Sequence, residues 1–175
     1  MDADDFILDN ALETLHTAAK EYNADVVYTG SYYQMSAPDD ICVHRDDETR
    51  KLIGEGLEDE PDLRVDDPNK NLSKLLLEGR DGNFRGPWTK LIRRKVLVEN
   101  NIVFPTQITN GGDFIWVIDL YCHSERFLRI STPIYFYRVY NIKSVTNTKR
   151  EPAQHVAHWI SGFVNFMKLL RALEN

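Results

Sequence analysis

The chain has 175 residues, a formal net charge of −6, 42% hydrophobic and 11% aromatic residues. That length suits one domain with a sizeable core, and the acidic balance argues against a general nucleic-acid binder. No apolar run reaches the roughly 18 residues of a membrane span, the acidic start is not a secretory signal, and Cys42 and Cys122 stand far apart. Two such cysteines make neither a zinc pattern nor a disulfide framework, which points to a reducing cytoplasm.

Charge is unevenly spread. Residues 39–67 hold twelve Asp/Glu and four Lys/Arg, a local balance of −8, so the rest of the chain carries +2. Lys90, Arg93, Arg94 and Lys95 concentrate positive charge in residues 90–95. An anionic ligand prefers that region to the acidic segment.

The chain opens with three carboxylates, Asp2, Asp4 and Asp5, followed by Phe6-Ile7-Leu8. Carboxylates at that density form a compact site for a hard divalent cation. Residues 9–22 read as a helix capped by Asp9 or Asn10, with Leu12, Leu15, Ala19 and Tyr22 on one face. Ala24 to Met35, rich in Val and Tyr, reads as a strand with Val26, Val27, Tyr28 and Tyr32 available for packing. The segment 36–67 contains Pro38, Gly54, Gly56 and Pro61 and reads as irregular, with a short strand at Ile41–His44.

Asn69–Glu78 reads as a helix closed by Gly79, and Gly82, Gly86 and Pro87 mark a loop. A short strand is expected at Lys90–Arg93, a short helix at Lys95–Asn100, and an extended piece at Ile102–Phe104 before Pro105. Gly111-Gly112 precede a helix at Asp113–His123, and two strands follow near Phe127–Ser131 and Ile134–Tyr140. A last helix, about residues 152–173, places Val156, Ile160, Phe163, Met167 and Leu170 on one stripe. The order is that of an α/β domain with a single helix-then-strand unit, as though its opening half were missing.

Several segments together resemble glycosyltransferase family 2, inverting enzymes with the GT-A fold. Asp2-Ala3-Asp4-Asp5-Phe6-Ile7 looks like that family's aspartate–any–aspartate motif, and Leu12–Leu15 and Ala24-Asp25-Val26-Val27 follow at the usual distance. Trp88-Thr89-Lys90-Leu91-Ile92-Arg93-Arg94 resembles its tryptophan-x-lysine-leucine-x-arginine segment, and Glu99 to Pro105 the stretch that comes next. Tyr135-Phe136-Tyr137-Arg138 and Ser144-Val145-Thr146-Asn147 resemble its closing motif. The match spans about residues 2–147 and rests on the order of the motifs, since a short acidic triplet alone is weak.

The resemblance implies the C-terminal part of a GT-A fold, a mixed sheet with flanking helices. Residues 1–150 would form the metal- and acceptor-side portion, and 151–175 a C-terminal amphipathic helix packed on it. It implies transfer of a sugar from a nucleotide-diphosphate donor, a UDP-sugar, to a saccharide or lipid-linked acceptor with inversion. Mn2+ or Mg2+ would be the cofactor, held by Asp4 with support from Asp2. Asp113 would be the catalytic base, at a helix N-terminus that favours its ionised form. Arg138 and Ser144 would bind the diphosphate, and Lys90 and Trp88 would line the site.

Two departures bear on activity. The family's nucleotide-binding βα units are expected ahead of the acidic motif, and its Glu-Asp pair reads Gly112-Asp113 here. Weak or absent transfer by these 175 residues alone is therefore expected. Each assignment has a plain alternative: a solvated terminus for Asp2, Asp4 and Asp5, a helix cap for Asp113, a surface arginine for Arg138, and a core residue for Trp88. The alternative function is a non-catalytic interaction module, a homo-oligomer formed through apolar surface around Phe6, Ile7 and Val26. The cytoplasmic chain would then reach a membrane only peripherally, through the last helix with Trp159, Lys168 and Arg171.

Overall fold

The computed structural model describes residues 4–45, 64–66 by their backbone, 86–106, 112–141, and Val156, Ile160, Val164 and Met167 of the last segment. The expected helix at Asn69–Glu78 lies outside the described residues, as do Phe163 and Leu170.

The strands are β1 (Phe6–Ile7), β2 (Val26–Thr29), β3 (Ser31–Ala37), β4 (Asp40–Arg45), β5 (Arg64–Asp66), β6 (Lys90–Ile92), β7 (Phe127–Ile130) and β8 (Tyr135–Arg138). The helices are α1 (Ala11–Glu21), α2 (Arg94–Glu99) and α3 (Gly112–Cys122), and a 3-10 turn spans Pro87–Thr89. Two mixed sheets result, one ordered β5-β7-β2-β6 and the other β1-β8-β3-β4. In each, one parallel pair occupies the centre, β2 with β7 and β3 with β8, and antiparallel strands flank it.

The single strand expected over Ala24–Met35 is in fact two, which belong to different sheets. Gly30 separates them, and its N–H reaches the Ile130 carbonyl at 3.0 Å. Beside it the β7–β8 connection makes the same passage, so the partners stay parallel through both sheets. Hydroxyls fill the places where ladder bonds lapse. Thr29 Oγ1 accepts from the Ser31 N–H at 3.2 Å and lies 2.7 Å from the Ser31 carbonyl and 2.8 Å from that of Thr132. With one proton to give, it serves one carbonyl at a time. Ser31 Oγ donates to the Ser131 carbonyl.

The β5-β7-β2-β6 sheet is covered on both faces, which explains why all four residues of β2 and of β7 are buried. On one face Val26, Tyr28 and Phe127 pack with Val96 of α2 and Trp116, Val117, Leu120 and Tyr121 of α3. On the other Val27, Leu128 and Ile130 pack with Ala11 and Leu15 of α1. Val26 is fully buried, so it offers none of the surface expected of an interaction module. Leu12, expected inside, is 61% exposed while Ala11 is fully buried. Leu15, Ala19 and Tyr22 face inward as expected, and only in the first turn does Ala11 take the place expected of Leu12.

Both α1 and α2 end in the same way. Asn23 and Asn101 adopt positive φ, 49° and 51°, a left-handed conformation that asparagine tolerates better than most residues. The next N–H returns to the helix in each case, Ala24 to the Ala19 carbonyl at 2.9 Å and Ile102 to that of Leu97 at 2.9 Å. This Schellman closure satisfies carbonyls the helix end would leave bare. Ile102, expected in an extended piece, is buried as the apolar residue of the second closure, packed with Leu97.

The hairpin β3–β4 turns at Pro38-Asp39, with an irregularity between Met35 and Ala37. Of the segment expected to form the last helix, the described residues Val156, Ile160, Val164 and Met167 are helical, the first three exposed and Met167 half-buried. Among the described residues no helix is long and apolar enough to cross a membrane.

Candidate functional site

Pairing of β1 with β8 aligns Phe6 with Phe136 and Ile7 with Tyr135, which carries the start of the chain to residues 130 and 128 positions away. Asp5 is buried there. Its Oδ2 accepts the Tyr135 hydroxyl at 2.7 Å and its Oδ1 the Arg138 N–H at 2.9 Å. Asp4 Oδ2 accepts from Asn141 Nδ2. The Arg138 guanidinium lies over the Phe6 ring, 5.3 Å from its centroid, a cation–π position. Among the described residues Arg138 Nε is buried with no hydrogen-bond partner. A donor on a permanent cation, left unspent, is unusual in a folded protein.

The structure thus brings Asp4, Asp5 and Arg138 together, as the motifs suggested, and adds Tyr135 and Asn141. Tyr135 lay within a quoted motif without a role. Nothing in the sequence pointed to Asn141, because its link to Asp4 exists only once β1 and β8 pair. Asp2 and Ser144 lie outside the described residues.

Trp88 occupies the 3-10 turn before β6. Its indole packs 4.7 Å from the Tyr135 ring and stacks at 5.8 Å on Tyr137. Tyr135 therefore touches Asp5 through its hydroxyl and Trp88 through its ring, joining the two parts of the site. Gly86 is required here, since a Cβ at that position would stand 2.1 Å from Trp88 Nε1. Lys90 Nζ donates to the Gly86 carbonyl at 2.7 Å and lies 5.5 Å from the Tyr28 ring centroid. Lys90 as a whole is only half-buried, but burial of its amine pushes the pKa down to about 7. Loss of hydration disfavours the charged form of a buried amine.

Arg93 and Lys95 of the basic segment are also paired. Arg93 Nε pairs with Asp25 Oδ1 at 3.2 Å and an Arg93 terminal nitrogen donates to Asn23 Oδ1 at 2.8 Å. Asp25 Oδ2 in turn accepts from the Glu125 and Arg126 N–H groups at 3.0 and 3.2 Å. These contacts clip the ends of β2, β6 and β7 together. Lys95 pairs with Glu99 one helical turn on, both well exposed. Asp113 is exposed in the first turn of α3, the helix-terminal position expected of it.

The donor set bears on a cation. Both oxygens of Asp5 are engaged, and Asp4 retains one that accepts no protein hydrogen bond named above. Among the described residues no group of three or more His, Cys, Asp or Glu converges. The described residues therefore form no all-protein metal cage.

No protein-family model matches the chain, and no curated protein does. Solved structures do. The chain is similar to TarS of S. aureus, a glycosyltransferase. With TarS residues 1–349 in complex with UDP-GlcNAc the TM-score is 0.60 at 15% identity, over 99% of this chain and 40% of that one. With the UDP complex it is 0.53 at 17% identity, over 79% and 34%. With TarS 1–349 alone it is 0.55 at 16% identity, over 97% and 54%. The chain therefore spans about half or less of the length of the TarS chains it matches. Its fold is mixed α/β and glycosyltransferase-like.

Proposed function

We propose that this chain is the metal- and acceptor-side portion of a glycosyltransferase that uses a nucleotide-diphosphate sugar, a UDP-sugar, with inversion. The observation that carries the reading is the convergence of Asp4, Asp5 and Arg138 at the β1–β8 pair, on a fold shared with a protein crystallised with UDP and UDP-GlcNAc. Arg138 supplies donors for a diphosphate oxygen, and Asp5 holds that residue's backbone in place. Asp4, with Asp2, would hold Mn2+ or Mg2+, which neutralises charge on the leaving diphosphate. Asp113 takes the proton of an acceptor hydroxyl, its ionised form favoured by the α3 N-terminus. The acceptor is a saccharide or a lipid-linked saccharide. Inversion follows when that hydroxyl attacks opposite the departing nucleotide.

Calorimetric titration with UDP, with and without Mn2+, tests this. Mn2+-dependent binding is expected, lost in Asp4→Ala and weakened at least tenfold in Arg138→Ala, the order of one charge-assisted hydrogen bond. A folded chain that binds no UDP under either condition overturns the reading. One observation favours a second reading, self-association: Val156, Ile160 and Val164, each helical, are 57%, 58% and 45% exposed. Sedimentation of the wild type beside Ile160→Glu distinguishes it.

A further inference from the structure

One face of the β1-β8-β3-β4 sheet carries a cluster of rings that the donor chemistry does not use. Tyr32 of β3 sits at its centre. His44 of β4 stacks on it with centroids 4.7 Å apart and planes 16° from parallel. Trp88 meets Tyr32 edge-on at 5.1 Å, and Tyr137 of β8 does so at 6.1 Å. Trp88 and Tyr137 stack on one another at 5.8 Å. The register explains the grouping, since Tyr32 pairs with His44 and Gln34 with Tyr137, placing these side chains on a common face.

Two features separate this cluster from an ordinary core. All four residues are half-buried, so the rings keep part of their surface in solvent. Among the described residues His44 Nδ1 is also buried without a hydrogen-bond partner. An apolar neighbour would leave that nitrogen unsatisfied, at a cost that folded proteins usually avoid. A ligand carrying both C–H faces and hydroxyls would satisfy ring and nitrogen together. Aromatic faces are electron-rich and attract weakly positive C–H groups, and a few placed polar groups then fix orientation. The phenol of Tyr32, whose pKa burial pushes up to about 12, stays protonated and remains a donor at neutral pH.

We infer that Trp88, Tyr137, Tyr32 and His44 form a binding platform for a neutral saccharide, the acceptor side of the site. This inference rests on the glycosyltransferase reading for its role, but not for the binding itself. Trp88 connects the two regions, because it also packs on Tyr135, which holds Asp5. A sugar stacked on the platform would lie beside the Asp5–Arg138 group rather than on a remote surface.

The test is saturation-transfer NMR of the whole chain with maltose, cellobiose and N,N′-diacetylchitobiose, with a parallel titration of UDP and Mn2+. Transfer to the C–H protons of at least one disaccharide is expected. It should vanish in Trp88→Ala. In His44→Phe, which keeps the ring pair with Tyr32 but removes the nitrogen, affinity should fall roughly tenfold, as for one lost hydrogen bond. If Trp88→Ala does not fold, His44→Phe and Tyr137→Leu carry the test. No transfer from the folded wild type, or transfer unchanged in His44→Phe and in the ring variants, overturns the platform. Sedimentation showing that these variants abolish a dimer instead would also overturn it, in favour of a protein partner. UDP binding without saccharide binding defeats the platform alone, while saccharide binding without UDP defeats the donor reading and leaves the platform standing.

Discussion

The two sheets share the same pair of chain segments and put them to opposite use. In the β5-β7-β2-β6 sheet, β2 and β7 are covered on both faces and wholly buried. A few residues later the same segments continue as β3 and β8, where Phe136, Tyr137 and Arg138 are half-buried and keep some surface in solvent. The central strands of the first sheet are wholly buried, so that sheet is expected to contribute most to stability. The second sheet keeps an unspent guanidinium nitrogen and an unspent imidazole nitrogen. Such groups are tolerable because the segments that carry them are anchored upstream, which is how strained or unsatisfied features usually persist.

The comparison can be broken most strongly in the covered sheet. Phe127 is fully buried and stacks on Tyr121 with centroids 3.7 Å apart. Phe127→Ala should cost ~3–5 kcal/mol of folding stability in urea denaturation. If β8 were instead the principal anchor, Tyr137→Ala would cost more. Next comes Asp5→Ala, which leaves the Tyr135 hydroxyl and the Arg138 N–H without their acceptor. It should cost about 1–3 kcal/mol and should weaken UDP binding without altering far-ultraviolet circular dichroism.

Lys90 sharpens the contrast through pH. Its folded-state pKa, about 7, lies below the ordinary 10.5. Between those values the unfolded chain holds a proton that the folded chain has released, so stability should rise with pH across that window. The contribution of this one group is no steeper than ~1.4 kcal/mol per pH unit. Lys90→Met should flatten that rise in denaturation curves recorded at intervals from pH 7 to 10, and an unchanged slope would show the amine to be well solvated. At the junction of the sheets, Thr29→Val keeps shape but removes the hydroxyl that serves Ser31 and Thr132. A loss of about 1 kcal/mol is expected. Smallest is Lys95→Ala, which deletes an exposed pair with Glu99 and should change stability by at most ~0.5 kcal/mol.

Much of the local structure was legible in the amino-acid order, because local structure is set by local chemistry. The expected helix at 113–123 and the expected strands after it lie within a residue or two of α3, β7 and β8. The expected break at Gly111-Gly112 and the turn chemistry of Gly86-Pro87 agree with where α3 and the 3-10 turn begin. The grouping of Asp4 with Arg138 was legible only through resemblance, since no periodicity relates positions so far apart.

Three things were decided by tertiary structure alone. Val26 to Ala37 is continuous in its β-forming character, and only the partners available on each side of Gly30 divide it between two sheets. The carboxylates of the opening triplet look equivalent in sequence, yet pairing of β1 with β8 commits both oxygens of Asp5 to Tyr135 and Arg138 while Asp4 accepts from Asn141 through Oδ2. The aromatic residues at 32, 44, 88 and 137 carry no common pattern, and they meet because sheet register and a tight turn at Gly86 place them on one face. Short-range steric and hydrogen-bonding preferences act within a few residues. Register and burial depend on partners tens of residues away, so they arise only when the chain has closed on itself.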